Sequence, residues 1–212
     1  MQIQKNEVRE RIVLSAKDEF LEKGMDKSSM RTIAAKSRMT VGNLYRYFKN
    51  KDDLMIAIVG DTLEEIRASV QGKTSNEVVM MDSSPNINLS LVQIKNAIDE
   101  LSSDLVEIYL RHRIEFNILM MHSKLNDEIT MWFTELLKKL FTTSFDLNRD
   151  NEELNDCIDV TAHAYAVSVS LGLRDIFYRS SLSEENLKKV VKIFLKSFVN
   201  NLSVEFVESV RE

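Results

Sequence analysis

Residues Ser28–Lys51, SSMRTIAAKSRMTVGNLYRYFKNK, decide how the rest of the chain is read. They hold two short apolar-periodic runs, Met30-Ile33-Ala34 and Val41-Leu44-Tyr45-Phe48. A tight polar break, Ser37-Arg38-Met39-Thr40, lies between them. Neither run is long enough for a helix that stands alone in water. Two such helices joined by a turn of roughly three to four residues make a helix-turn-helix, whose second helix is free to enter a DNA major groove.

Local chemistry around the stretch agrees. Thr40 is placed to cap the second short helix, expected to run to about Phe48, and Ser28 or Ser29 to cap the first. A capping box is incomplete, because Arg31 and Thr32 stand where Glu or Gln would close it. Upstream, Ile12, Val13, Ala16 and Phe20 form one apolar stripe, so residues 6–23 read as a helix that Gly24 terminates. Downstream, Asn50 can cap a fourth helix with Asp52 and Asp53 in its first turn, as the helix dipole prefers. That helix continues through Leu54, Ile58, Thr62 and Ile66 towards Val70. Gly60 inside it costs about 1 kcal/mol against alanine.

Residues 71–88, with Gly72 and the only proline, Pro85, read as a break. Helical period returns from Leu89 through Leu91, Ile94, Ile98, Leu101 and Leu105, with an interruption expected near Ser102-Ser103. Another helix is expected from about Asn126, a turn at 146–151, a penultimate helix near 151–179 and a last one near 184–209. One conflict arises at residues 164–173, AYAVSVSLGL, whose alternation alone reads as a strand. A lone strand leaves its backbone groups unpaired, and no second strand-like run exists to partner it. The segment is therefore a helix rich in small residues, and Ala162, Ala166, Ser170 and Gly172 let another helix approach closely.

Composition narrows the class. Of 212 residues, 44% are apolar, enough for a real core, and one proline with five glycines favours long helices. Residues 1–60 hold 12 Lys/Arg against 8 Asp/Glu, a surplus of four, and the rest hold 16 against 25, a deficit of nine, which together give the net charge of -5. A basic head on an acidic body suggests polyanion contact at one end. The opening residues lack the apolar core of a signal peptide, no run is long enough to span a membrane, and the lone Cys157 fits a reducing cytoplasm.

Residues 11–54 resemble the DNA-binding domain of the TetR family of bacterial transcriptional regulators. The resemblance rests on RIVLSAKDEFLEKG (11–24), SSMRTIA (28–34) and TVGNLYRYFKNKDDL (40–54), about a fifth of the chain. It implies an all-α fold, with an N-terminal helix-turn-helix domain at 1–50 and a helical effector-binding and dimerisation domain at 51–212. It implies DNA contacts at Thr40, Val41, Gly42, Asn43, Tyr45, Tyr47 and Lys51. Arg31 can reach the groove from the second helix. Thr40 suits a phosphate, Val41 a thymine methyl and Asn43 a base edge, most naturally adenine, while the tyrosines and Lys51 suit the DNA backbone. Two positions depart from the pattern. Met25 replaces an aromatic, a soft packing change. Arg38 stands where the family usually has glycine, so Arg38 is strained or the turn differs.

Plainer readings stand beside these. Leu44 and Phe48 are core residues, Tyr45 has the alternative of packing on the first helix, and Arg46 and Lys49 that of mere solvation. His112, His122 and His163 lack i, i+4 spacing, so no metal is expected. The cluster Phe116, Met120, Met121, Met131, Trp132 and Phe133 reads as core. The resemblance places an effector cavity among the middle helices, which makes Phe116, Met120, Met131 and Trp132 candidate lining residues for a partly apolar ligand. Glu115, if inward, would favour a cationic one. No phosphate loop, dinucleotide fingerprint or paired metal ligands point to an enzyme or a cofactor. The expectation is a cytoplasmic, ligand-responsive repressor that binds a palindromic double-stranded operator as a homodimer through its last two helices (about 151–209), with no membrane contact. The competing reading is a helical adaptor that binds a protein through its C-terminal helices.

Overall fold

The computed structural model describes residues 2–72, 91–144, 152–179 and 181–202, and every regular element among them is an α-helix. In chain order these are α1 (Gln2–Lys27), α2 (Met30–Lys36), α3 (Val41–Leu44), α4 (Lys51–Gly72), α5 (Leu91–Arg111), α6 (Arg113–Met121), α7 (Ser123–Ser144), α8 (Glu152–Arg179) and α9 (Glu184–Leu202). The expected break beyond Gly72, the turn at 146–151 and the last helix past Leu202 lie outside the described residues. No helix of the described residues is long and apolar enough to cross a membrane.

Three boundaries differ from the sequence expectation. α1 extends to Lys27, but Gly24 has φ 72° and ψ 162°, so the regular helix breaks there and a single turn follows. α3 is regular only to Leu44, because Arg46 and Tyr47 bond the carbonyls three residues back (Asn43 and Leu44) rather than four. α5 runs unbroken through Ser102-Ser103 and breaks at His112 instead. Ser102 is buried in α5, and its hydroxyl donates to the Ile98 carbonyl one turn back, which lets a serine sit inside the helix.

The chain forms two compact units. The first gathers residues up to 64 together with 112–125, and the second gathers 65–111 with the residues from 126 onward. In the first unit Ile12, Ala16 and Phe20 of α1 are buried, as are Ile33 of α2, Leu44, Phe48 and Leu54. Phe116 and Leu119 of α6 are buried in the same unit. Lys17 of α1 pairs with Glu115 of α6. Burial pushes the Glu115 carboxyl up, but the Lys17 hydrogen bond, its own backbone N–H and the charges of Lys17 and His112 outweigh that and hold it below the usual glutamate range. Glu115 is therefore an internal ion-pair partner, which corrects the expectation that it would favour a cationic ligand.

In the second unit α8 is a helix throughout, as the unpaired-strand argument required. Its buried residues, Ile158, Ala162, Ala166, Val169, Leu173 and Phe177, recur every three or four positions. Gly172 does what was expected of the small residues. A Cβ on Gly172 would stand 2.1 Å from Cζ of Phe194 on α9, so only glycine allows this approach. Ser170 accepts from the Thr130 hydroxyl of α7 at 3.0 Å. Tyr109 of α5 packs its ring 4.7 Å from that of Phe177 and donates its hydroxyl to the Phe177 carbonyl at 3.1 Å. Asp99 of α5 lies 2.8 Å from both Lys192 and Lys196 of α9.

Candidate nucleic-acid interface

The interface is assembled by caps, not by length of helix. Ser29, not Ser28, caps α2: its hydroxyl accepts from the Thr32 N–H at 3.1 Å. Ser28 is buried and donates its hydroxyl to the Gly24 carbonyl at 2.6 Å, tying the end of α1 to the start of α2. α2 ends in a paired C-cap: the Arg38 N–H reaches the Ala35 carbonyl at 3.1 Å and the Met39 N–H reaches the Ala34 carbonyl at 2.9 Å. This 5→2 and 6→1 pattern is the Schellman motif, which requires a left-handed residue after the cap. Arg38 is that residue, with φ 56°. The turn therefore keeps the glycine geometry with an arginine in it, at a cost of about 1–2 kcal/mol for the left-handed backbone of an L-residue.

Thr40 is the N-cap of α3, with its hydroxyl accepting from the Asn43 N–H at 3.3 Å. Leu44 and Phe48 are buried, and the Arg9 guanidinium lies 5.1 Å from the Phe48 ring centre, a cation–π contact that joins α1 to the turn after α3. Asn50 caps α4 through its side-chain oxygen, which accepts from the Asp53 N–H at 2.7 Å, while Asp53 accepts from the Lys49 N–H at 2.9 Å. These reciprocal bonds fix the exit of the recognition segment.

Anchored this way, α3 turns a polar face outward. Arg31, Thr40, Gly42, Asn43 and Tyr45 are exposed, and Val41 and Tyr47 are half-buried. Tyr45 is 50% exposed, so half of its surface is open to solvent. A Cβ at Gly42 would meet nothing within 4 Å, so the fold itself makes no demand for glycine there. Lys51 differs from the rest. It is half-buried, and its ammonium donates to the Met25 carbonyl and, at 3.0 Å, to the Ser28 carbonyl. Two of its three donors therefore brace the α1–α2 connection, a role that sequence spacing did not indicate.

The candidate effector residues fall in different places. Phe116 and Met120 are buried in α6, in the first compact unit. Met131 and Trp132 belong to α7 in the second, with Trp132 half-buried and Met131 59% exposed.

Residues 12–58 match the family described as bacterial regulatory proteins, tetR family. No curated protein sequence matches the chain. Solved structures do. A Syntrophomonas wolfei protein assigned to the TetR-family transcriptional regulators is 17% identical, with 95% of this chain and 99% of that one covered and a TM-score of 0.59. NalD, the secondary repressor of the MexAB-OprM multidrug efflux pump in Pseudomonas aeruginosa, is 21% identical over 88% of this chain and 95% of its own, with a TM-score of 0.54. A transcriptional regulator of the TerR/AcrR family from Aquifex aeolicus is 17% identical over 90% and 99%, also at 0.54. At these identities the structural likeness speaks for the fold.

Proposed function

Residues 12–58 match the tetR family of bacterial regulatory proteins, and on that premise we propose that the chain is a ligand-responsive repressor that grips a palindromic operator as a homodimer. The observation that carries the reading is the outward face of α3. Thr40, Gly42, Asn43 and Tyr45 are exposed, while Leu44 and Phe48 between and beyond them hold the segment in the core. Such a face has hydroxyls for phosphates, an amide for a base edge and a glycine for close approach. Val41 offers its methyls to thymine. Tyr47 reaches the DNA backbone from the same segment, Arg31 reaches the groove from α2, and the third donor of Lys51 remains for a phosphate.

The dimer reading rests on α8 and α9. Val160, Ala164, Val167, Leu171 and Tyr178 of α8 are exposed at helical spacing, and Val190 and Ile193 of α9 are exposed beside buried Val191. Val160 is 72% exposed and Ile193 69%. A stripe of this kind is what an isologous helical interface covers. Two heads so joined would sit about one DNA turn apart, roughly 34–36 Å. The repressor sign is supported by NalD, itself a repressor. The effector is a partly apolar small molecule held in the helical body. It acts by shifting α4, which runs unbroken from Lys51 to Gly72. Such a ligand moves the equilibrium only as far as its affinities for the two states differ. The protein works in the cytoplasm, where its operator is.

The test is a mobility shift with duplex DNA from immediately upstream of the chain's own coding sequence, against excess random duplex. A specific shift that weakens steeply with salt is expected. Binding that random DNA competes away equally, or that ignores salt, would leave the helical-adaptor reading in its place.

A further inference from the structure

The arginine in the turn of the helix-turn-helix occupies a strained position that the fold does not explain, and the inference drawn from it rests on the DNA-binding function proposed for α3. The Schellman cap after α2 demands a left-handed residue, and glycine would supply it without strain. The chain keeps the conformation, φ 56°, and places Arg38 there. The side chain is exposed and makes no hydrogen bond or ion pair among the described residues. Three lysines of the same head are committed elsewhere: Lys36 to Glu19 and Glu22, Lys23 to Glu19, Lys51 to two carbonyls. The strained position therefore presents an uncommitted guanidinium two residues before Thr40, within about 7 Å of it along the main chain. Backbone strain retained with no internal return is what functional positions show.

We propose that Arg38 is a DNA-backbone contact that this chain adds to the turn, its guanidinium resting on a phosphate beside the base pairs that α3 faces. A planar fork of donors suits two phosphate oxygens better than an ammonium does. A phosphate contact carries no sequence information, so Arg38 acts on affinity and register and not on base choice.

The experiment is fluorescence anisotropy of the full chain, wild type and the variants Arg38→Ala, Arg38→Gly and Arg38→Lys, at salt from roughly 50 to 200 mM. Two labelled duplexes of equal length are used, the chain's own upstream sequence and a random one. Thermal unfolding of each variant checks that it is folded. Arg38→Ala and Arg38→Gly are both expected to weaken binding on both duplexes by a similar factor, roughly tenfold at low salt. Each should make the log–log salt slope shallower by about 0.9 per protomer. Arg38→Lys is expected to keep the wild-type slope with an intermediate affinity. Arg38→Gly with wild-type affinity and slope would overturn the proposal while leaving the DNA-binding function intact. A loss confined to the upstream duplex would overturn it too, because it would make Arg38 a base reader. Wild-type binding that is flat in salt on both duplexes would overturn the function and this contact together.

Discussion

The Lys36 ammonium of α2 lies 2.9 Å from the Glu19 carboxylate of α1, and that carboxylate is wholly buried. Lys23 reaches the other oxygen at 2.8 Å. Hydrogen bonds from Lys23 and Lys36, with their charges, hold Glu19 below the usual glutamate range, against the opposing effect of burial. The first two helices of the head are thus joined by a charge that must stay ionised. A carboxyl with a lowered folded pKa stabilises the fold fully above its unfolded value, about 4.3, and that contribution is lost as pH falls through the folded value. Glu115, paired with Lys17, and Asp99, beside Lys192 and Lys196, add in the same direction. The expected outcome is a thermal midpoint that holds down to about pH 4 and falls below it. Glu19→Gln should be less stable at pH 7 and lose less on acidification than wild type. Parallel pH profiles for the two proteins would show that Glu19 is not the linked group.

Arg38 gives a stability prediction separate from the proposed phosphate contact. Arg38→Gly removes a left-handed penalty of about 1–2 kcal/mol but adds about 0.5–1 kcal/mol of unfolded-state entropy. The balance favours the variant by up to about 1.5 kcal/mol. Arg38→Ala keeps the penalty and should be near neutral. Urea unfolding of the three proteins measures this, and a glycine variant less stable than the alanine one would mean that the turn does not need its left-handed residue.

Gly172 sets the distance between α8 and α9. A Cβ there would fall 2.1 Å from Phe194, whose ring is itself packed 5.0 Å from that of Phe198. Overpacking of this kind costs about 1–3 kcal/mol. Replacing a helical glycine by alanine returns about 1 kcal/mol. Gly172→Ala is therefore expected to destabilise by about 1 kcal/mol, and in a Phe194→Leu background the same change should become neutral or favourable. An equal effect in both backgrounds would separate Gly172 from Phe194.

What the sequence made legible, and what it hid, depends on the range of the interactions. α8 could be read as a helix despite its alternating valines, because an unpaired strand is costly and Ala162, Ala166 and Ser170 fit a close helix contact. The strain at Arg38 could be read because one turn with local bonds fixes it. The early end of α3 was hidden, since no glycine or proline stands between Leu44 and Phe48, and the bonds that decide it run only three residues. The break at His112 was hidden for the same lack of a breaker. The role of Lys51 and the pairing of Glu115 were hidden because their partners, Met25, Ser28 and Lys17, lie far away in the chain.

The exposed stripe on α8 and α9 makes the oligomeric state testable. Leu171→Glu or Ile193→Glu places a charge where an interface would bury it, and neither residue supports the core of its own chain. Sedimentation should move from dimer to monomer, with little change in the unfolding of the isolated chain. Operator affinity should fall by roughly a hundredfold, because two linked heads bind with avidity that single heads lack. A dimer that survives both substitutions would place its interface elsewhere.

Division of labour within α3 gives the last prediction. Asn43 is exposed, and its backbone N–H is taken by Thr40, so in the proposed function its side-chain amide is the group that reads a base edge. Asn43→Ala should cost about 1–3 kcal/mol of discrimination at one base pair and leave the salt slope unchanged, because no phosphate contact goes with it. Gly42 works differently. A methyl group there meets nothing in the protein, so Gly42→Ala should fold at least as well as wild type, with up to about 1 kcal/mol gained in helix propensity. What it removes is room for the DNA backbone, and its loss should fall on cognate and random duplexes alike. Anisotropy titrations on both duplexes separate the two effects. An Asn43→Ala loss of equal size on random DNA would remove its base-reading role, and a Gly42→Ala variant that binds normally would show that α3 does not approach the DNA at that point.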